Sequence, residues 1–206
     1  MNIGIMGGTF DPIHNGHLML GEYAYRQFDL DEIWFMPNGN PPHKSDPQII
    51  KDTADRLNMT KLAIEDIPYF RLCTFEIDRR EKSYSYSTFQ KLGELFPEHK
   101  FYFIIGADSL YQIETWKHPE LLIPYVTILA AYRDDMDTPE AMYRQIDYLN
   151  DKYNGDIRLL KTPVLSISSH EIRNMLKADS RAGIPVPDKV RSYIQEQHLY
   201  QGDIHE

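Results

Sequence analysis

An α/β fold built on a parallel sheet is the architecture this sequence predicts, and three observations carry it. Short apolar runs alternate with segments of helical spacing along the whole chain. One run, Phe101-Tyr102-Phe103-Ile104-Ile105, is nearly continuous, as in a strand buried on both faces. Polar, glycine-bearing turns follow several of these runs at their carboxyl ends, where open α/β sheets hold their ligands.

With 206 residues and 42% hydrophobic content, the chain suffices for one well-buried domain and not for two large ones, so residues 1–206 read as a single domain. No apolar run approaches the roughly 20 residues of a membrane helix, and no basic, apolar leader precedes the first strand, which predicts a cytoplasmic protein. A net charge of −9 without a Lys/Arg cluster argues against binding a nucleic-acid polymer. Small anions remain accessible to a few placed cations and helix ends. The single cysteine, Cys73, forms no internal disulfide and reads as a structural thiol.

Met1 to Met6 is the first strand, and Gly7-Gly8-Thr9-Phe10-Asp11-Pro12-Ile13-His14-Asn15-Gly16-His17 joins it to a helix reaching about Phe28. Two glycines let the backbone turn tightly beside an anion, and the helix offers its free N–H groups and positive dipole end to the same place. His14 and His17 straddle the helix start, one on the turn and one on the first helical turn. The stretch is neither a His-Glu-x-x-His zinc helix, nor a Walker A loop, nor a G-x-G-x-x-G fingerprint. A plain tight turn is the competing reading.

Glu32 to Pro37 is a second buried strand ended by proline, and the Asn38 to Pro47 loop carries His43 and Lys44. Asp52 to Glu65 has helical spacing, with Arg56 read as solvated and Met59 as core. Phe70 to Asp78 reads as the third strand. Ser83 to Thr88 then supplies hydroxyls placed to cap the helix through Phe96. After the strand Phe101 to Ile105, Gly106 allows a ribose or base to approach, and Asp108 is either a ribose acceptor or an N-cap. Trp116 is either core or a pocket wall.

Tyr125 to Ala131 is the fifth strand, from which Arg133 emerges to bind phosphate or pair with an acid. Thr138 to Tyr153 is helical and Ile157 to Lys161 a final short strand. Ser168 with Glu171 forms a capping box, and Ser169 and Arg173 share that helix start, which makes it a second phosphate candidate. The tail Pro185 to Tyr200 closes with a helix that packs Tyr193, Ile194 and Leu199.

The Gly7 to His17 stretch resembles the signature of the nucleotidylyltransferase superfamily, whose HxGH element binds nucleoside triphosphate; here it is His14-Asn15-Gly16-His17. Within it, Pro41-Pro42-His43-Lys44, Ser83 to Thr88 (similar to SYTxxTL, with Ser85 for threonine and Phe89 for leucine), Ile104 to Leu110 with Trp116, and Ile167 to Arg173 (similar to ISSTxIR, with His170 for threonine) resemble bacterial nicotinate-nucleotide adenylyltransferases.

That resemblance implies a Rossmann-like sheet of order 3-2-1-4-5 with a further edge strand, and adenylyl transfer from ATP to nicotinate mononucleotide. It implies catalytic roles for His14, His17, Lys44 and Arg173. ATP would contact Gly7, Gly8, Thr9, Phe10, Gly106, Asp108, Arg133, Ser168 and Ser169, and nicotinate mononucleotide would contact Lys44, Ser85, Thr88 and Trp116. Mg²⁺ would bind through ATP phosphates with no protein ligand named, and a homo-oligomer is compatible with all of this. A relative acting on nicotinamide mononucleotide or phosphopantetheine would share the phosphate elements. A noncatalytic nucleotide sensor would be expected to lack His14, His17 or Arg173.

Overall fold

The computed structural model describes residues 1–39, 53–79, 82–132, 139–163, 167–178 and 183–200. Strands are β1 (Asn2–Gly8), β2 (Glu32–Pro37), β3 (Phe70–Leu72), β4 (Lys100–Gly106), β5 (Thr127–Ala131) and β6 (Ile157–Leu160). Helices are α1 (Asn15–Gln27), α2 (Thr53–Ile64), α3 (Ser85–Leu95), α4 (Ala107–Gln112), α5 (Pro119–Leu122), α6 (Pro139–Tyr153), α7 (Ser169–Lys177) and α8 (Asp188–Glu196). The sheet order is β3-β2-β1-β4-β5-β6 with every pairing parallel, as expected from the sequence.

Successive side chains leave a strand on opposite faces, so the apolar runs feed two cores. On β4, Tyr102 and Ile104 join one core with Phe35, Met59, Phe70, Ile172 and Ile194, under α1, α2, α7 and α8. Phe101, Phe103 and Ile105 join the other with Ile3, Ile5, Phe89, Leu110 and Met142, under α3, α4 and α6. This double burial is why the β4 run has no polar alternation.

The connections proceed outward from β1 through β2 to β3, then return to β4 on its other side and run outward again. Pairing between β1 and β4 ends at Met6 with Ile104. Beyond that point Gly7 and Gly8 stay with Met36 and Pro37 of β2, while Ile105 and Gly106 stay with Ala130 and Ala131 of β5. The sheet therefore splits at its carboxyl edge where the strand order reverses, the place where open α/β sheets bind ligands.

Two readings of the sequence are corrected. The third strand stops at Leu72 instead of reaching Asp78, because after the Cys73 N–H bonds Phe35 O at 2.8 Å the chain closes a turn. That turn is fixed by Asp78 N–H to Thr74 O at 2.9 Å and Thr74 Oγ1 to Asp78 Oδ2 at 2.6 Å. Cys73 thus sits just past the strand, half-buried, and burial pushes its thiol pKa up, away from reactivity. Arg56 is not solvated but 4% exposed, inside the fold beneath the first turn.

Candidate active site

The split in the sheet is the mouth of a two-part cleft. One part, about 550 Å³, is walled by Gly7, Gly8, Thr9, Asn38, Ser83 to Ser85, Thr88, Trp116 and Lys117. The other, about 350 Å³, is walled by Gly7, His14, His17, Gly106, Asp108, Ser168 and Ser169. Gly7, Phe103, Ser109 and Trp116 belong to both, so the parts meet above the end of β1. Both volumes are in the range of small-molecule sites.

The turn between β1 and α1 is held from behind. Phe10 adopts φ 51° and turns its ring into the core, 1% exposed, against Phe35 and edge-on to His17 at 5.0 Å. A Cβ on Gly8 would lie 2.7 Å from that ring, so only glycine fits above it. The Arg56 guanidinium, from α2, gives Nη1 to Thr9 O at 2.8 Å and to Asn38 Oδ1 at 3.3 Å, and Nη2 to Asn38 O at 3.0 Å. From α7, Arg173 gives Nη1 to Asp11 O at 2.7 Å, and Tyr200 gives its hydroxyl to Asp11 Oδ1 at 2.6 Å. Two buried guanidinium groups therefore hold carbonyls of the turn inward. Burial lowers the pKa of Arg56, with Asp11 opposing the shift.

His14 is the N-cap of α1 and His17 its third residue, with rings stacked 3.7 Å apart. His17 Nδ1 accepts from the His14 N–H at 3.2 Å, which puts the proton of a neutral His17 on Nε2. His14 is 5% exposed, its Nδ1 has no hydrogen-bond partner, and burial lowers its pKa to about 4 against a partial upward pull from Glu171. It is therefore a neutral imidazole near pH 7. A Cβ on Gly16 would stand 2.9 Å from His14 Nδ1, so the glycine of the HxGH element makes room for the ring.

At α7 the capping box is present: Ser168 Oγ accepts from the Glu171 N–H at 3.2 Å, and Glu171 Oε2 accepts from the Ser168 N–H at 2.9 Å. Ser168 Oγ also donates to Glu171, and Ser169 Oγ donates to Pro12 O at 3.0 Å. The two hydroxyl hydrogens are thus used inside the protein, and what this helix start offers an anion is its first-turn N–H groups. His170 is exposed and its Nε2 lies 3.1 Å from Asn174 Nδ2.

The structure brings most of the sequence-predicted residues into this cleft. Gly7, Gly8, Thr9, His14, His17, Gly106, Asp108, Ser168, Ser169, Ser85, Thr88 and Trp116 line it. Phe10 and Arg173 support it from within the fold instead of lining it. Lys44 and Arg133 lie outside the described residues. Asp108 is not the N-cap of α4; Gly106 is, which leaves the exposed Asp108 carboxylate on the cavity wall. The hydroxyls before α3 do not cap it, for the N-cap is Tyr84, without a side-chain bond, and Thr88 Oγ1 instead donates to Glu76 Oε1 at 2.8 Å. Trp116 is half-buried, 6.1 Å from Phe103. Arg56 was missed because a lone arginine on a helical face carries no sequence signal of burial.

Among the described residues no three His, Cys, Asp or Glu side chains gather into a metal-binding cluster. No described helix is long and apolar enough to cross a membrane.

Residues 5–175 match the family model described as cytidylyltransferase-like. A relative from Lachnoclostridium phytofermentans, named "Probable nicotinate-nucleotide adenylyltransferase", is 41% identical over 96% of this chain and 98% of its own. One of the same name from Desulfitobacterium hafniense is 38% identical over 97% and 95%. The structure of Plasmodium falciparum nicotinic acid mononucleotide adenylyltransferase complexed with NaAD superposes with a TM-score of 0.78 at 25% identity, covering 97% of each chain.

Two predictions follow from this geometry. The unfolded His14 titrates near 6.5 and the folded one near 4, so on acidification the unfolded chain takes up the proton first. Stability from this residue is complete above about pH 7 and is lost as pH falls from 6.5 towards 4, by up to about 3 kcal/mol. In urea melts of ligand-free protein, His14→Asn should lose about 2 kcal/mol less stability than wild type between pH 7 and pH 4.5. Equal losses would mean the ring is not held neutral. Arg56→Lys keeps the charge and loses the fork that spans Thr9 and Asn38, at about 2 kcal/mol, read as a melting temperature lower by about 4–8 °C. It should also lower kcat/KM for the reaction proposed below by at least about tenfold, since the turn loses its brace. An unchanged melt and kcat/KM would refute the bracing role.

Proposed function

The chain belongs to the cytidylyltransferase-like family, and on that premise we propose that it transfers the adenylyl group of ATP to nicotinate mononucleotide, giving deamido-NAD and pyrophosphate. The observation that carries the proposal is the shared wall of the two cavities: a triphosphate-type site of His14, His17 and the α7 start meets an aromatic, hydroxyl-bearing site of Tyr84, Ser85 and Trp116 at Gly7. A reaction joining two bound nucleotides needs two adjoining subsites. We read residues 1–206 as one domain and the reaction as cytoplasmic.

The smaller cavity would take ATP. Its phosphates lie against the Gly7-Gly8 turn, the α1 and α7 starts and the two imidazoles, with Asp108 placed for ribose hydroxyls. The larger cavity would take nicotinate mononucleotide, its ring against Trp116 and its carboxylate towards the start of α3. There the first helical bond is Thr88 N–H to Tyr84 O, so the preceding N–H groups have no carbonyl of their own helix. Lys44 and Arg133 complete the reading as phosphate partners, while Arg173 acts from behind the turn through its bond to Asp11 O.

The acceptor brings its own nucleophile, a phosphate oxygen. It attacks the α-phosphorus, a new P–O bond forms, the bond to the β-phosphate oxygen breaks, and the electron pair leaves with pyrophosphate. The protein's part is to align the two phosphates and to stabilise charge as it spreads over the α-phosphoryl and leaving oxygens. His17 Nε2–H donates there. A neutral His14 does so without placing a positive charge against the His17 ring. Mg²⁺ carried on ATP phosphate oxygens and water would neutralise part of that charge; among the described residues Asp108 is the acid on this cavity's wall.

The test is pyrophosphate release from ATP with nicotinate mononucleotide, nicotinamide mononucleotide and phosphopantetheine offered separately. Nicotinate mononucleotide should be preferred over its amide by on the order of 10³ or more in kcat/KM, because N–H donors favour a carboxylate and leave a carboxamide N–H₂ facing other donors. Similar kcat/KM for the acid and the amide would contradict the assignment.

A further inference from the structure

A carboxylate stands in the cavity that, on the proposed function, must admit the carboxylate of the substrate. Glu76 lines the larger cavity, and among the described lining residues it is the acid and Lys117 the cation. Its Oε1 accepts from Thr88 Oγ1 at 2.8 Å, and Ser83 hydrogen-bonds the same carboxylate. Thr88 is 2% exposed on the first turn of α3, and Ser83 lies just before it. The turn that carries Glu76 is itself closed by the Thr74–Asp78 bonds, so the carboxylate is presented from a fixed backbone. Burial raises its pKa, while the two hydroxyls and Arg79 pull it down.

A hydroxyl has one hydrogen to give. Once Thr88 and Ser83 have given theirs to Glu76, each offers a ligand only lone pairs, which a carboxylate cannot use. The two hydroxyls that sequence reading assigns to capping or to the substrate instead tie the start of α3 to the turn after β3. Without Glu76, the buried Thr88 hydroxyl would lose the acceptor it uses here, and the start of α3 would lose its link to the neighbouring turn.

We propose that Glu76 is a positioning residue for acceptor recognition: by taking the hydroxyl hydrogens of Ser83 and Thr88 it fixes the start of α3 against the cavity, and the pyridine nucleotide is bound by what Glu76 holds in place. The inference rests on reading the larger cavity as the nicotinate mononucleotide subsite. Glu76 acts on the acceptor and not on ATP, because its bonds lie on the wall of the larger cavity alone.

The experiment is steady-state kinetics of the full chain for wild type, Glu76→Ala, Glu76→Gln, Thr88→Val and the Glu76→Ala/Thr88→Val double variant. Glu76→Ala should raise KM for nicotinate mononucleotide by about tenfold or more and leave KM for ATP within about twofold. Glu76→Gln keeps an oxygen that accepts from Thr88 and should recover most of the loss, which a variant that merely fails to fold would not. The double variant should be no worse than the poorer single one, since both cut the same link. Equal rises in both KM values, no recovery in Glu76→Gln, or a lower nicotinate mononucleotide KM in Glu76→Ala would each overturn the role; the last would show that Glu76 only repels the substrate. Wild-type failure to use nicotinate mononucleotide would overturn the substrate reading as well, whereas wild-type turnover with an unaffected Glu76→Ala overturns this inference alone.

Discussion

Two buried arginines reach the same short turn from helices that are far apart in the chain, and the cleft depends on that grip. Arg56 on α2 takes the carbonyl of Thr9, and Arg173 on α7 takes that of Asp11. With these carbonyls drawn inward, and with Phe10 locked in the core beneath Gly8, the turn has little freedom left. Charge-assisted bonds of this kind contribute about 1.5–3 kcal/mol each, and leaving one partner buried alone costs more. The grip also binds distant parts of the chain together: α2, the residue after β2, α7, and Tyr200 through Asp11, all converge behind one phosphate-sized turn. A loop so held needs little reorganisation when an anion arrives, and that preorganisation is what positional catalysis requires.

The same burial sets the protonation of the site. A stacked pair of imidazolium rings at 3.7 Å would repel, and the buried member of the pair, His14, resists protonation with a pKa of about 4. A neutral His14 still donates through N–H, so on the proposed function it can stabilise phosphate charge by a hydrogen bond without adding a cation beside His17. In the larger cavity Glu76 likewise takes up hydroxyl hydrogens, those of Thr88 and Ser83, at the start of α3.

Much of this was legible in the sequence because it is written in local patterns. The β4 run has the apolar density of a doubly buried strand, and the strand order is implied by the resemblance of the motifs to the nucleotidylyltransferase superfamily. Gly8 and Gly16 are short-range steric requirements, and Ser168 with Glu171 is a spacing rule that the structure realises. What escaped depends on contacts between distant segments. Arg56 sits on a helix with ordinary amphipathic spacing, and its burial is decided by Thr9 and Asn38, far away in the chain. Phe75 and Ile77 extend the apolar pattern past Leu72, yet the Thr74–Asp78 turn ends the strand, because a partner strand, and not hydrophobicity, is what makes a strand. The Ser83 to Thr88 hydroxyls look like caps until Glu76 is seen beside them.

In this account the protein supplies no nucleophile: its turn, imidazoles and helix starts hold two nucleotides end to end, and the acceptor's own phosphate attacks. The stereochemical course at the α-phosphorus tests that most directly. ATP made chiral at the α-phosphorus with one sulfur should give a dinucleotide of inverted configuration, as a single in-line displacement demands. Retention would mean two displacements through an adenylylated side chain, and would contradict the claim that this cleft works by position and charge alone.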